Sequence, residues 1–599
     1  KFQYPLYGQD VQHIIGLDLK QKGGKQILIA TNLNYKNTPV PFGLNEEYNL
    51  FEFNSNKSSD IISEDIILFN VLENVEGSIR SVSYNNNVNK VLIIASGLDE
   101  KIIVMDDFFN TISSTKINNI HNLDIDFNLS LSSGVVLDDY INSKKIFLGD
   151  SEHGGIIVIN DSDEFYFVES VSPNGPADIN TGTIFSANNG LVFSHGGQTS
   201  DWNNAYNYQE VSFFKNQAWE QSDTLLEMGI YDVVSGCSVG NKIFLGSWNK
   251  GLLEFDGTKL TQHYNEQNTQ GLGPAFGTTN YVRIGGIDVD LNNNIWLTNS
   301  QAEKPLVKFS VSDNTWSNFQ VSGISQDTEM SGKILCTKNG QKWIQLRKNG
   351  IIVVQEEGGV SKKLSEMNGL ASNSVNCFVE DNDGVVWIGT SQGLSVVYFT
   401  DGLFDSPSTN AEYILIETVD GYVERLFENT EILDIAVDGA NRKWIATKSS
   451  GVFLISEDGS SQIHNFTKEN SFLLDNMVYE ISIINSSGEV FFATSKGLCS
   501  YRSDASSSFE NFNDVVVFPN PVKKEYAGKI AISGLRNNTS VKITDISGNL
   551  VYETISYGGT ATWDGRSFNG KKVSTGVYLF LCTSSDFEES IVKKVLIYN

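Results

Sequence analysis

The chain has 599 residues, 40% hydrophobic and 19% charged, too long for one ordinary core and too apolar for extended disorder. Lys and Arg number 43 against 72 Asp and Glu, and the net charge of −29 is spread along the chain. Solubility explains this field more simply than a cationic partner or a calcium-rich exterior, and the lack of clustered Lys and Arg disfavours direct nucleic-acid binding. No apolar run nears the roughly 18 residues of a membrane-spanning helix, so an integral membrane protein is not expected. Cys237, Cys336, Cys377, Cys499 and Cys582 are scattered without a CxxC pair and read as small buried hydrophobes.

From the N-terminus to about residue 510 one unit recurs: an apolar strand, a Gly-rich turn and a second apolar strand. In chain order the first strands of the units lie at 27–31, 91–95, 145–149, 191–193, 242–246, 294–298, 342–344, 386–390, 443–447 and 490–494. Successive starts are about 44 to 64 residues apart, the length of a propeller blade with its loops. Such strands are apolar throughout because blades stack face to face, and helical periodicity is almost absent. Ten units exceed the usual number of about four to eight blades per propeller, so two propellers in tandem are predicted. The break is placed near residue 225, giving a first propeller over 1–225 and a second over 226–512.

Residues 513–599 read as a separate module. Pro519 and Pro521 fix an extended entry, and about seven short alternating runs follow, with Ser547-Gly548-Asn549 as one of the turns. The predicted fold class is therefore all-β: tandem β-propellers followed by a C-terminal β-sandwich.

The strings PNPV (519–522), GLRNNTSVKITDISGNLV (534–551), WDGRSFNGKKVSTGVYLF (563–580) and IVKKVLIYN (591–599) resemble the C-terminal sorting domain of proteins exported by the type IX secretion system. Residues 368–375 and 381–390 resemble the propeller repeat in sensory domains of two-component regulators. GSWNKGLLEF (246–255), VDGANRKWIATKSSGVFLISEDG (437–459), HNFTKENSFLLDNMV (464–478) and GEVFFATSKGLCSYRSDA (488–505), followed directly by the sorting-type module, resemble the PorZ-like surface components of that system. The resemblance spans about residues 190–599. It implies a non-enzymatic protein at the bacterial cell surface, associated with the outer membrane and exported by way of a removed signal peptide. It also implies a PorU-like sortase, a PorV-like shuttle and a PorQ-like protein as partners, and an anionic lipopolysaccharide as a ligand. The alternative is a secreted type IX cargo protein whose propellers bind glycans or proteins and whose C-terminal module is cleaved.

The residues suggest no catalytic set, cofactor or metal site. His13, His121, His153, His195, His263 and His464 are too dispersed for metal-ligand spacing. The Asp381-Asn382-Asp383-Gly384 turn opens like a calcium loop but has Gln392 where a bidentate Glu belongs, so a hairpin turn is preferred. Asp564-Gly565 reads likewise. An enzyme on this scaffold would need a carboxylate pair converging in the central funnel. Binding is more plausible. His195, Gln198, Trp202 and Asn203 lie in a Gly-rich polar loop, and Trp248 and Asn249 in a second, the residue types that stack on sugars and hydrogen-bond them. The plainer reading, a long blade loop whose Trp packs on the neighbouring blade, is preferred. An anionic ligand would also need a basic pocket, for which Lys215, Lys242 and Lys250 are the candidates.

Overall fold

The computed structural model describes residues 175–178 and 182–598, apart from 356–358, 406–409 and 418–420, together with separate segments between residues 19 and 171. It divides into two compact units, 1–175 and 176–599. Among the described residues regular structure is β throughout, broken only by single 3-10 turns such as Glu366–Asn368.

Among its described residues the first unit shows three four-stranded antiparallel meanders. The second of them, from Ser78–Asn85 to Thr111–Lys116, and the third, from Leu131–Tyr140 to Glu164–Val171, pack on each other. Leu92, Ile94, Ile102, Val104, Leu148 and Ile156 form the core between them.

The second unit begins with seven sheets that form a ring, here blades 1 to 7, over 183–221, 233–264, 284–319, 331–364, 375–397, 432–466 and 478–502, with a two-stranded sheet of Leu415–Glu417 and Val423–Arg425 between blades 5 and 6. The first strand of each blade packs against the first strand of the next, and Thr183–Ala187 of blade 1 packs against Val478–Ile484 of blade 7. The circle is closed, which makes it a seven-bladed propeller with the first strands around its axis. Sequence placed its start near residue 225, but blade 1 lies before that point, and the compact unit opens at Pro176. The repeat unit at 191–193 belongs to this ring and not to a preceding one; its strand, Gly190–Ser194, lacks the Trp and Thr found in later copies, and the loop that follows is long.

Each of the ten repeated units supplies the second and third strands of one sheet, with 29–31 of the first unit outside the described residues. The strands Lys342–Leu346, Val386–Thr390 and Lys443–Thr447 are buried at every position because neighbouring blades cover both faces. A lysine so placed must find partners. Lys443 Nζ lies 2.8 Å from Asp381 Oδ2 of the preceding blade and 4.5 Å from the Trp387 ring centre, and Lys342 sits in the same way over Trp296. Asp381 Oδ1 accepts the amides of Asp383 and Val385, and its Oδ2 accepts Trp387 Nε1 at 2.9 Å. The acidic turn is thus a structural hairpin, repeated at Asp290–Trp296 and Asp438–Trp444.

The glycine that opens the third strand is equally constrained. Gly251, Gly350 and Gly451 have φ of 92°, 78° and 74°, and a Cβ there would lie 2.0 to 2.3 Å from the carbonyl oxygen that ends the fourth strand, at Tyr264, Leu364 or Phe466.

Residues 516–597 fold as a sandwich of a three-stranded sheet, Val516–Phe518, Ile530–Ser533 and Thr560–Trp563, on a four-stranded one led in the chain by Ser540–Asp545. Ile532, Val541, Ile543, Trp563, Phe580 and Val595 fill its core. Asp564 Oδ1 accepts the amide of Arg566, a turn bond as expected. The sandwich is seated on the propeller: a Cβ on Gly439, in a turn of blade 6, or on Gly558, in a turn of the sandwich, would lie 1.9 Å from the carbonyl oxygen of Ser506 in the connecting segment. Gly559 N donates to that oxygen at 2.9 Å, Ser507 N donates to Asn485 O in blade 7, and the Arg442 guanidinium lies 4.9 Å from the Tyr557 ring centre.

Candidate functional site

The loop joining the second and third strands of blade 1, residues 195–211, is the polar segment singled out in the sequence. It crosses the mouth of the axial channel to the far side of the ring. A Cβ on Gly332, in the first strand of blade 4, would lie 2.7 Å from the Trp202 indole, so this ring presses on the opposite wall. Arg347 Nη1 of blade 4 donates to Asp201 O, and Lys348 Nζ pairs with Asp201 Oδ1 at 3.1 Å.

Other blades fasten the strap along its length. Trp248 Nε1 of blade 2 donates to Trp202 O at 3.0 Å, and the two indoles meet edge to face at 6.3 Å. Tyr281 Oη donates to Asn204 Oδ1. The Asp232 carboxylate, at the entry to blade 2, accepts Asn204 Nδ2 and the amides of Ala205, Tyr206 and Asn207, all within 3.0–3.1 Å. These bonds hold Trp202 (φ 58°) and Tyr206 (φ 59°) in the left-handed region, a costly place for large side chains.

The predicted residues divide accordingly. His195 is buried, bonded through Nε2 to Ser212 Oγ at 3.1 Å and set against the Phe193 ring. Trp248 is 0% exposed, and Asn249 is buried and accepts a bond from Ser247 Oγ. These three support the strap from beneath. Gln198 and Trp202 are half-buried and Asn203 is exposed, so they form part of the outer surface. The suggested lysines do not converge: Lys242 pairs with Glu254 at 2.8 Å, at the far end of its strand from Lys250.

What the sequence missed is an aromatic shelf beside the strap. Tyr206 and Tyr208 are exposed and lean on Tyr231, with ring centres 5.3 and 4.7 Å away. Burial, then the neighbouring Tyr281, pushes the Tyr231 hydroxyl up to about 12, so it stays a neutral donor. The Arg283 guanidinium lies 5.1 Å from the Tyr281 ring centre and 5.4 Å from that of Trp248. Exposed flat rings beside cations and amides can stack on a sugar ring and bond its hydroxyl or acidic groups.

Below the strap, three charged side chains meet across the axis. Lys333 of blade 4 reaches Asp434 of blade 6 at 3.6 Å and Glu480 of blade 7 at 3.9 Å. Each carboxylate also ties its blade to the next: Asp434 Oδ2 accepts Ile481 N at 2.8 Å, and Glu480 Oε2 accepts Ile184 N at 2.6 Å. Burial, against the pull of Lys333 and with the repulsion of Asp434, pushes the Glu480 carboxyl up to about 7. A carboxylate pair does converge in the funnel, but it is employed in holding blades together.

Comparison with known proteins agrees with this architecture. Residues 511–598 match the CHU_C type IX secretion signal domain, and residues 369–392 match the two-component regulator propeller repeat. No curated protein matches the chain. The described fold is all-β, propeller blades followed by a β-sandwich, and the sandwich coincides with the segment that matches a type IX secretion signal domain. The fold is shared with PorZ, an essential bacterial surface component of the type IX secretion system of Porphyromonas gingivalis, at 20% identity and a TM-score of 0.58, over 99% of this chain and 82% of that one. The extracellular domain of a putative one-component system from B. thetaiotaomicron aligns over 99% of this chain and 88% of its own, at 13% identity and a TM-score of 0.29.

Proposed function

We propose that this chain is a non-enzymatic component of the type IX attachment complex at the outer membrane, working with a PorU-like sortase, a PorV-like shuttle and a PorQ-like protein and keeping its C-terminal domain. The observation that carries the reading is the seat of that domain. A cleavable signal needs an accessible, loosely held junction, whereas here Ser506 is wedged between Gly439 and Gly558 and bonded on to Gly559. The axial carboxylates, engaged with Lys333 and with backbone amides, favour a binding role over a catalytic one. The strap surface of Gln198, Trp202 and Asn203 with the Tyr206–Tyr208 shelf is the proposed face for an anionic lipopolysaccharide, with Arg283 and Lys348 offsetting the acidic field.

The test is recovery of the tagged full chain from native outer membranes, with intact-mass measurement. Co-recovery of a sortase and a shuttle with a chain ending at Asn599 supports the reading. A free chain ending before about residue 520 and carrying lipid-linked sugar overturns it in favour of a cargo protein, a reading favoured by the signal domain taken alone.

A further inference from the structure

Blade 7 is one strand short. Blades 1 to 4 and blade 6 each have four strands, and blade 5 covers the edge of its third strand with Glu412, whose amide and carbonyl both bond to Val396. In blade 7 the third strand, Gly497–Arg502, is itself the edge among the described residues. Gly497 has φ 113°, left-handed like Gly251, Gly350 and Gly451, which make room for the end of a fourth strand, and like Gly393 of blade 5, whose edge is covered by Glu412 instead. The third strands of blades 2, 4 and 5 are almost wholly buried, whereas from Leu498 onward this one is half-buried or exposed, with the Tyr501 ring partly open and packed against Phe466 of blade 6 at 4.9 Å.

The closing pair of the hairpin is Thr494 with Gly497, so alternate residues point their backbone groups at the ladder, and the amides and carbonyls of Leu498, Ser500 and Arg502 face outward. At the Arg502 end the edge opens into a cleft of about 460 Å³ between the propeller and the sandwich, with Tyr501 on one wall and Phe518 and Tyr526 on the other. Its charge departs from that of the molecule. Asp504 is taken up by Arg442, Arg502 has only a 3.9 Å contact with Glu489, and Lys529 has no ion pair among the described residues. Lys523, Lys524 and Glu525 lie just before Tyr526 in the chain and add one net positive charge nearby.

We propose that blade 7 is completed by an extended segment of a partner protein that adds as its fourth strand, antiparallel to Gly497–Arg502, with acidic residues at its N-terminal end in the cleft. The direction follows from the other blades, where the fourth strand ends at the glycine. An acidic N-terminal end then meets Arg502 and Lys529. This inference does not depend on the identity of the secretion partners.

The test uses the full chain and a fluorescein-labelled peptide, Asp-Glu-Thr-Val-Thr-Val-Thr-Asn, followed by fluorescence anisotropy. Saturable binding is expected, weakened at least about tenfold by Ser500→Pro, which removes an outward amide at an edge where proline is tolerated, and by Lys529→Glu. Amide exchange at 498–502 should slow when the peptide is bound, a readout that needs no variant. Absence of saturable binding, binding unchanged in Ser500→Pro at an unchanged melting temperature, or exchange unchanged by peptide would overturn the proposal. So would a concentration-dependent dimer that Ser500→Pro abolishes, since the occupant would then be a second copy of this chain.

Discussion

Lys443 Nζ stands 2.8 Å from Asp381 Oδ2 across the interface between blades 6 and 5, and both side chains are closed to solvent. Burial alone would raise the Asp381 carboxyl, but Lys443 and the Trp387 indole outweigh it and hold it below the usual range. Lys443→Ala should cost about 3–5 kcal/mol in urea unfolding, because it strands a buried carboxylate. Lys443→Met with Asp381→Asn should cost distinctly less. Since the Asp381 carboxyl is depressed in the folded state, its contribution is present above about pH 4 and lost as pH falls below that, and the double variant should lack this acid limb.

Trp248 and Asn203 are both binding candidates by sequence, from two separate loops, and their burial separates them. Trp248→Ala should destabilise by about 3–5 kcal/mol, as expected for an enclosed indole. Asn203→Ala should stay within about 0.5 kcal/mol while still being able to alter ligand binding. Thermal melting of the two variants checks this, and a neutral Trp248→Ala would mean that the strap is not seated on blade 2.

Glu480 supplies a pH dependence of opposite sign. Its carboxyl binds a proton more tightly in the folded state, at about 7, than in the unfolded chain, near 4.3, so its stabilising contribution is full below the lower value and disappears as pH rises to the upper one. Lys333 and Asp434 face it across the channel and share the titration. Melting temperature should therefore fall between about pH 4.5 and 7 more steeply in the wild type than in Glu480→Gln.

Gly439→Val should unseat the sandwich without unfolding it. The added side chain starts 1.9 Å from Ser506 O, a clash that the segment can relieve only by moving away. New protease cleavage within 507–514, with two intact fragments, is the expected pattern. Loss of both fragments would show that the two domains do not fold independently.

The legible parts of this chain were those where burial on both faces writes an uninterrupted apolar run, as at Val386–Thr390, and where a glycine must follow. Outer strands such as Gln462–Phe466, exposed and polar, carry no such mark. The strap is legible as a polar loop, but its contact with the opposite wall of the ring is not, because Trp202 and Gly332 are brought together only by closure of the circle. The Tyr206–Tyr231 shelf was missed for the same reason: its rings come from separate loops with no spacing rule between them.

The ring described above closes without interleaving strands: blades 1 and 7 meet through Thr183–Ala187 and Val478–Ile484, and Thr183 and Ile184 bond to Glu480 across 297 and 296 residues of chain. Such a seam is a clasp, not a weave. Blades can stack in sequence as an open spiral as the chain becomes available, and the last contact to form carries the largest loop-closure cost of the fold. It is also where the circle would part first under tension, leaving six interfaces intact and a spiral able to snap shut again.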